Sequence, residues 1–312
     1  MKTGKNNPDR RLFSESSFTF FQVVETFLQH ARIHGRSRKT FAMYEWTFRR
    51  FKDYVREDRP LEQINTASLR GYLSWLLTEF SYRPVSLKMH YEVLHAFFVF
   101  AVNERLISSN PMDGIPKPKA PKIFPFMLDE TQIDALLHVA NNSGVRNYAM
   151  LLVFLDCGLR LNELITVRVT DLSLTQRSLK VHGKGAKDRI VFMGARTTKA
   201  VRRWVELRGF QPGYADTFFI DRKGEPLKKR WVHHIIAKLG EKAGLKTPLS
   251  PHKLRHVSAT LAVKHGMDVF TLQRLYGWEN VQTAMRYVNA ASPALREAHA
   301  KASPVDRLLE GS

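Results

Sequence analysis

Apolar residues in the first third of the chain recur every three or four positions, in stretches near Phe18–His34, Arg38–Glu57, Thr66–Phe80 and Val85–Glu104. That spacing lines one face of a helix, so the pattern predicts an all-helical unit over residues 14–106. The second stretch interleaves Phe41, Tyr44, Trp46, Phe48 and Phe51 with Arg38, Lys39, Arg49, Arg50, Lys52 and Arg56. Wound as a helix, it turns the aromatic set inward and the basic set outward. A basic face of this kind is either solvated charge or a contact for a polyanion, and its single sign favours the contact.

The periodicity stops between Ile107 and Pro125, where Pro111, Pro116, Pro118, Pro121 and Pro125 alternate with Lys117, Lys119 and Lys122. Proline lacks the amide that helices and sheets use, so residues 107–125 are expected to form an extended basic linker. A second unit, residues 126–304, opens on a helix that Asp129 can cap, with Gln132 placed to reach back. Two strand-like runs, Leu179–His182 and Arg189–Met193, flank Gly183-Lys184-Gly185, which predicts a hairpin with a lysine near its turn. Helices are expected near Thr198–Arg208, Arg230–Ala243, Lys253–Lys264, Phe270–Tyr276 and Val281–Val288. The fold class is therefore mainly α with a small β-sheet: an α+β domain preceded by an all-α domain.

Charge narrows the partners. The 312 residues hold 49 Lys+Arg against 29 Asp+Glu, a net charge of +20. Nucleic acid is the first polyanion to consider, although membrane-surface and ribosome-associated proteins share this balance. Cys157 is the only cysteine, which excludes an intrachain disulfide and a multi-cysteine zinc site and suits a reducing cytosol. The basic N-terminus lacks the apolar run of a signal peptide, and no apolar run is expected to approach membrane-spanning length. A soluble, cytoplasmic protein is the expectation.

Three clusters carry candidate chemistry. In Gly158-Leu159-Arg160-Leu161-Asn162-Glu163, glycine lets the chain turn, so Arg160 starts a helix with Glu163 one turn on. Alone, this is equally an ordinary surface pair. In His252-Lys253-Leu254-Arg255-His256, helical spacing gathers His252, Arg255 and His256 on one face. That face suits an anion or is plain surface. Zinc is disfavoured, because the metalloprotease helix needs Glu where Lys253 stands. Third, Tyr287 lies on a short helix beyond Tyr276-Gly277-Trp278.

Together, Gly158-Leu159-Arg160…Glu163-Leu164, Gly183-Lys184-Gly185…Lys187…Arg189, His252-x-Leu254-Arg255-His256 and Gly277-Trp278…Tyr287 resemble the signature of the tyrosine recombinases, the phage-integrase and Xer group. The tail Leu295-Arg296…His299…Pro304 is similar to the Xer C-terminus, and the helical unit resembles the family's core-binding domain. The resemblance implies a site-specific recombinase working through a phosphotyrosine intermediate and a Holliday junction, without cofactor or metal. Its catalytic set falls on Arg160, Lys184, His252, Arg255, Trp278 and Tyr287, with Glu163 and His256 in support. DNA contacts are expected from Arg38, Lys39, Arg49, Arg50, Lys187 and Arg189.

The implied roles suit the residue types. Arg160 and Arg255 would clamp the phosphate oxygens, the Trp278 N–H would add a donor, His252 would take the phenol proton, and Lys184 would protonate the leaving oxygen. Two departures stand out: Cys157 where most members have Thr, and Trp278 where most have His. Tyr276 is a rival nucleophile. The resemblance also implies a homo-tetramer on two double-stranded DNA sites, with a possible second recombinase or accessory protein. Segment Asn289–Leu309 would dock on a neighbouring subunit or fold back on its own domain, ending the exchange segment at residue 312. A type IB topoisomerase-like strand transferase and an inactive DNA-binding protein are the rival readings.

Overall fold

The computed structural model describes residues 18–119, 125–183 and 188–291. The chain divides into two compact units, Met1–Lys122 and Ile123–Ser312, taken here in turn.

In the first unit, four helices follow the predicted stretches: α1 (Phe20–Ile33), α2 (Arg38–Val55), α3 (Thr66–Phe80) and α4 (Pro84–Asn103). Thr19, Ser37 and Asn65 accept amide hydrogens in the first turns of α1, α2 and α3. Pro84 begins α4, where its missing N–H costs nothing. The core is aromatic: the Phe20 ring centroid lies 4.8 Å from Phe51 and 4.9 Å from Phe97. Along α2 the buried positions are Tyr44, Thr47, Phe48 and Phe51. Trp46 falls between the rows of that stripe, so it sits 36% exposed and stacks on Tyr82 rather than facing inward as expected.

Two sequence expectations change here. The 20 residues of α4 are long and apolar enough to cross a membrane by composition, contrary to the expectation that no run approaches that length. Half of that helix is buried, with Val93, Leu94, Phe97, Phe98 and Ala101 in the core of this unit. The proline-rich stretch is also not wholly a linker. Met112 and Ile115 are buried with the aromatic core. Thr66 donates to the Pro111 carbonyl at 2.8 Å, Arg70 to Gly114 at 2.7 Å and Tyr91 to Ile115 at 3.0 Å. Proline removes amides but leaves carbonyls, and side chains of α3 and α4 satisfy them.

One polar pair is sealed in this core. His90 Nδ1 lies 2.8 Å from the Tyr72 hydroxyl, and burial, helped by the Arg50 charge, pushes the imidazole pKa down to about 4.

In the second unit, Asp129 and Gln132 form the anticipated cap of α5 (Glu130–Asn141). Then come α6 (Val145–Cys157) and α7 (Leu161–Thr166). A 3₁₀ turn, Val169–Asp171, leads into β1 (Leu172–Ser173), β2 (Ser178–Val181) and β3 (Arg189–Phe192), an antiparallel sheet in the order β1-β2-β3. Val181 pairs with Arg189 at the end of the β2–β3 ladder nearest the connection between the strands. Beyond it lie α8 (Ala195–Arg208), α9 (Lys229–Lys242), α10 (Pro251–Lys264), α11 (Val269–Tyr276) and α12 (Val281–Ala291). Every residue of α6 from Ala149 to Phe154 is buried, and α8 and α10 pack against that helix. A smaller cluster of Ala259, Leu272, Tyr276, Ala284 and Tyr287 joins α10, α11 and α12. Lys184, Lys187 and the C-terminal segment from residue 292 lie outside the described residues.

Candidate active site

The site grows from the break between α6 and α7. Gly158 ends α6 with φ +59°, a conformation that favours glycine, and a Cβ there would also run into the Tyr276 ring. The turn leaves Arg160 at the cap of α7, with its side chain 45% exposed. Glu163, one turn on, accepts from the Arg160 amide at 2.7 Å and from its guanidinium at 2.8 Å.

Glu163 is the hub of three arginines. Arg189 donates to both of its carboxylate oxygens, at 2.8 and 2.9 Å, and Arg255 stands 3.9 Å away. Burial raises the carboxyl pKa, but the hydrogen bonds from Arg189 and Arg160 outweigh it and hold Glu163 below its ordinary value. Arg189 was expected to contact DNA. In this structure its side chain is 11% exposed, gripping Glu163 and donating through Nε to the Leu275 carbonyl at 2.7 Å. It braces the site.

Arg255, on α10, is 3% exposed. It donates to the carbonyl of Gly158 and, at 2.5 Å, to that of Tyr276, and lies over the rings of Tyr276 and Trp278 at 5.0 and 5.3 Å. Burial and the neighbouring Arg160 charge lower its pKa to about 10, with Glu163 opposing, so it remains cationic at neutral pH. His252 is on the exposed side of α10, its ring edge-on to His256 with centroids 4.4 Å apart.

Tyr287 is brought to this cluster by the packing of α12 on α10 and α11. Its phenol oxygen lies 2.6 Å from His256 Nδ1, and its ring stacks on Trp278 at 5.1 Å, 4° from parallel. Burial, then His252, Arg286 and Arg255, push the His256 pKa down to about 4. At neutral pH this ring is uncharged, and its tautomer decides whether the phenol or Nδ1 donates in that bond. The imidazole bonded to the phenol is His256, with His252, the residue expected to take the proton, beside it. Burial raises the Tyr287 pKa, while Arg255 and Arg286 pull it back. Trp278 contributes its face, held between Tyr276 at 4.9 Å and Tyr287. The rival phenol, Tyr276, is 3% exposed and bonded to Ser258 at 2.5 Å.

The phage integrase family model matches residues 127–293, and the phage integrase SAM-like domain matches residues 19–119. The tyrosine recombinase XerD of Pseudomonas putida is 31% identical over 292 residues, covering 90% of this chain and 97% of that protein. XerC of Actinobacillus pleuropneumoniae is 31% identical over 297 residues, covering 93% and 96%. This chain belongs to the tyrosine recombinase family.

The recombinase shares its fold with a lambda integrase dimer bound to a COC' core site, at TM-score 0.74 and 20% identity over 92% of this chain and 82% of that one. It also shares it with a lambda integrase tetramer bound to a Holliday junction, at TM-score 0.72 and 20% identity over 89% and 83%. Within the recombinase, Arg38, Lys39 and Arg49 are exposed on α2. Arg50 is half-committed: its guanidinium lies 4.5 Å over the Phe80 ring and 3.3 Å from Asp53. Sequence reasoning missed Arg189 as a brace and Ser258 beneath Tyr276. Both act through partners far along the chain, and nothing local marks them.

Proposed function

We propose that this recombinase breaks and rejoins double-stranded DNA at two recombination sites by transesterification at Tyr287. The observation that supports this best is a single phenol hydrogen-bonded to an imidazole kept neutral beside a group of arginines. To attack, the phenol leaves the Trp278 face, passes its proton to an imidazole, His256 or its neighbour His252, and bonds to the scissile phosphorus. Arg160 and Arg255 hold the non-bridging oxygens, where charge builds in the transition state. The bond to the 5′ oxygen breaks, and Lys184 supplies the proton that oxygen takes. Rejoining runs the same steps backwards, so the phosphotyrosine keeps the bond energy and no cofactor is consumed.

A tetramer on two sites, passing through a Holliday junction on the nucleoid, fits this chemistry. The exposed cations Arg38, Lys39 and Arg49 supply phosphate contacts whose strength falls steeply with salt. The test is a nicked suicide duplex. The parent protein forms a covalent adduct and Tyr287→Phe forms none; an adduct with Tyr287→Phe overturns the nucleophile. Two marked duplexes then yield exchanged strands, whereas relaxation without exchange identifies a topoisomerase.

A further inference from the structure

Helix α11 ends against a row of arginines. The last carbonyls of a helix have no amide partner inside it and form the negative end of its dipole. Here Arg189 Nε donates to the Leu275 carbonyl at 2.7 Å, Arg255 to that of Tyr276 at 2.5 Å and Arg160 to that of Gly277 at 2.9 Å. Three successive carbonyls thus meet three cations, which come from β3, α10 and the cap of α7. Beyond Gly277 the chain turns into α12, which carries Tyr287.

The same cations share one carboxylate. Glu163, with its side chain 6% exposed, takes Arg189 on both oxygens and Arg160 on one of them, while Arg255 stands 3.9 Å from the other. Arg189 is packed in: a Cβ on Gly277, whose φ is +60°, would stand 3.2 Å from its Nη1. Arg160 is 45% exposed by contrast. In the proposed reaction Arg160 and Arg255 touch the phosphate, and Arg189 bonds to the groups that hold them. A lysine there would keep a charge beside Glu163 but lacks the planar fork that spans both carboxylate oxygens and a carbonyl.

We propose that Arg189 is a positioning residue for strand cleavage: its fork fixes Glu163 against the end of α11, and so sets the spacing at which Arg160 and Arg255 meet the non-bridging oxygens. This rests on the reading of those two arginines as the phosphate clamp. Without the fork, the Glu163 carboxylate turns to the cations that remain and draws them away from the phosphate.

A methylphosphonate at the scissile position has a methyl group in place of one non-bridging oxygen and no net charge, so its cleavage depends far less on well-placed guanidinium groups. The experiment is single-turnover cleavage of nicked suicide duplexes with either linkage, read as loss of the intact strand, by the full-length parent, Arg189→Lys and Arg160→Ala proteins. Arg189→Lys slows the phosphodiester by roughly tenfold or more and the methylphosphonate by less than about twofold. Arg160→Ala shows the same signature, enlarged. Near-parent cleavage of the methylphosphonate also certifies that a variant is folded and binds DNA, since a merely structural role would slow both linkages together. Equal slowing of both by Arg189→Lys, or slowing of neither, overturns the proposal while Arg160→Ala keeps its signature. If Arg160→Ala itself treats the linkages alike, the clamp reading is what fails, and the role of Arg189 falls with it.

Discussion

Each unit holds a tyrosine hydroxyl against a histidine Nδ1: Tyr72 and His90 at 2.8 Å in the helical unit, Tyr287 and His256 at 2.6 Å in the catalytic unit. Both imidazoles are pushed to about 4, and burial is the largest cause for each. The surroundings separate them. His90 is 0% exposed among aromatic rings, and its Nε2 has no hydrogen-bond partner. His256 is half-buried at the rim of a cationic cluster, beside the exposed His252. On the proposed reading the same pair is fastening in one place and reactive in the other, with the Tyr287 ring itself 4% exposed. What sets it apart is the field of Arg255 and Arg286, not the pair itself.

The largest expected effect that would break this comparison is on stability in acid. A histidine held at about 4 when folded, against 6.5 when unfolded, stabilises fully above 6.5 and loses that contribution as pH falls through 6.5 towards 4. For the sealed His90 the loss is about 3 kcal/mol. Protection of the amide hydrogens in α3 and α4, corrected for the intrinsic exchange rate at each pH, should therefore fall between pH 7 and pH ~4, and His90→Leu should flatten the dependence. An equal loss of protection in His90→Leu would show that the imidazole is not the cause.

Next in size is chemistry. His256→Leu removes the imidazole bonded to the phenol and should slow single-turnover cleavage on the order of 100-fold. His90→Leu should cleave at the parent rate. If both slow cleavage alike, the two pairs are not distinct in kind. The smallest effect sharpens the contrast: Tyr72→Phe leaves His90 Nδ1 unpartnered and should cost roughly 2 kcal/mol in denaturant unfolding, with covalent adduct formation unchanged.

Much of this molecule was legible in its sequence where the interactions are local. Apolar spacing located α1 to α4, Asp129 and Gln132 marked the start of α5, and Gly183-Lys184-Gly185 marked the hairpin. Arg160 and Glu163 were readable as a pair because they sit one turn apart. The rest depends on chain closure. Arg189 reaches Glu163 from 26 positions away, and only the folded hairpin brings it there. His252 and His256 share one helix face, so spacing could not decide which meets Tyr287; the packing of α12 decides it. Prolines 111 and 116 suggested a free linker because composition records what proline forbids, not the carbonyls that Thr66 and Tyr91 can still bind. β1, two residues long, is too short to leave an alternation.

Arg255 is anchored by the carbonyl oxygens of Gly158 and Tyr276. Main-chain atoms are present whatever residue is encoded, so the restraint from the Tyr276 carbonyl does not depend on the chemistry of that side chain, provided the turn, which requires Gly158, keeps its shape. Laboratory evolution of new target preferences can thus rewrite the surrounding surface without loosening its most deeply set cation. Exposing the restraint calls for a chemical edit of the backbone, such as an ester in place of the amide that follows Gly158.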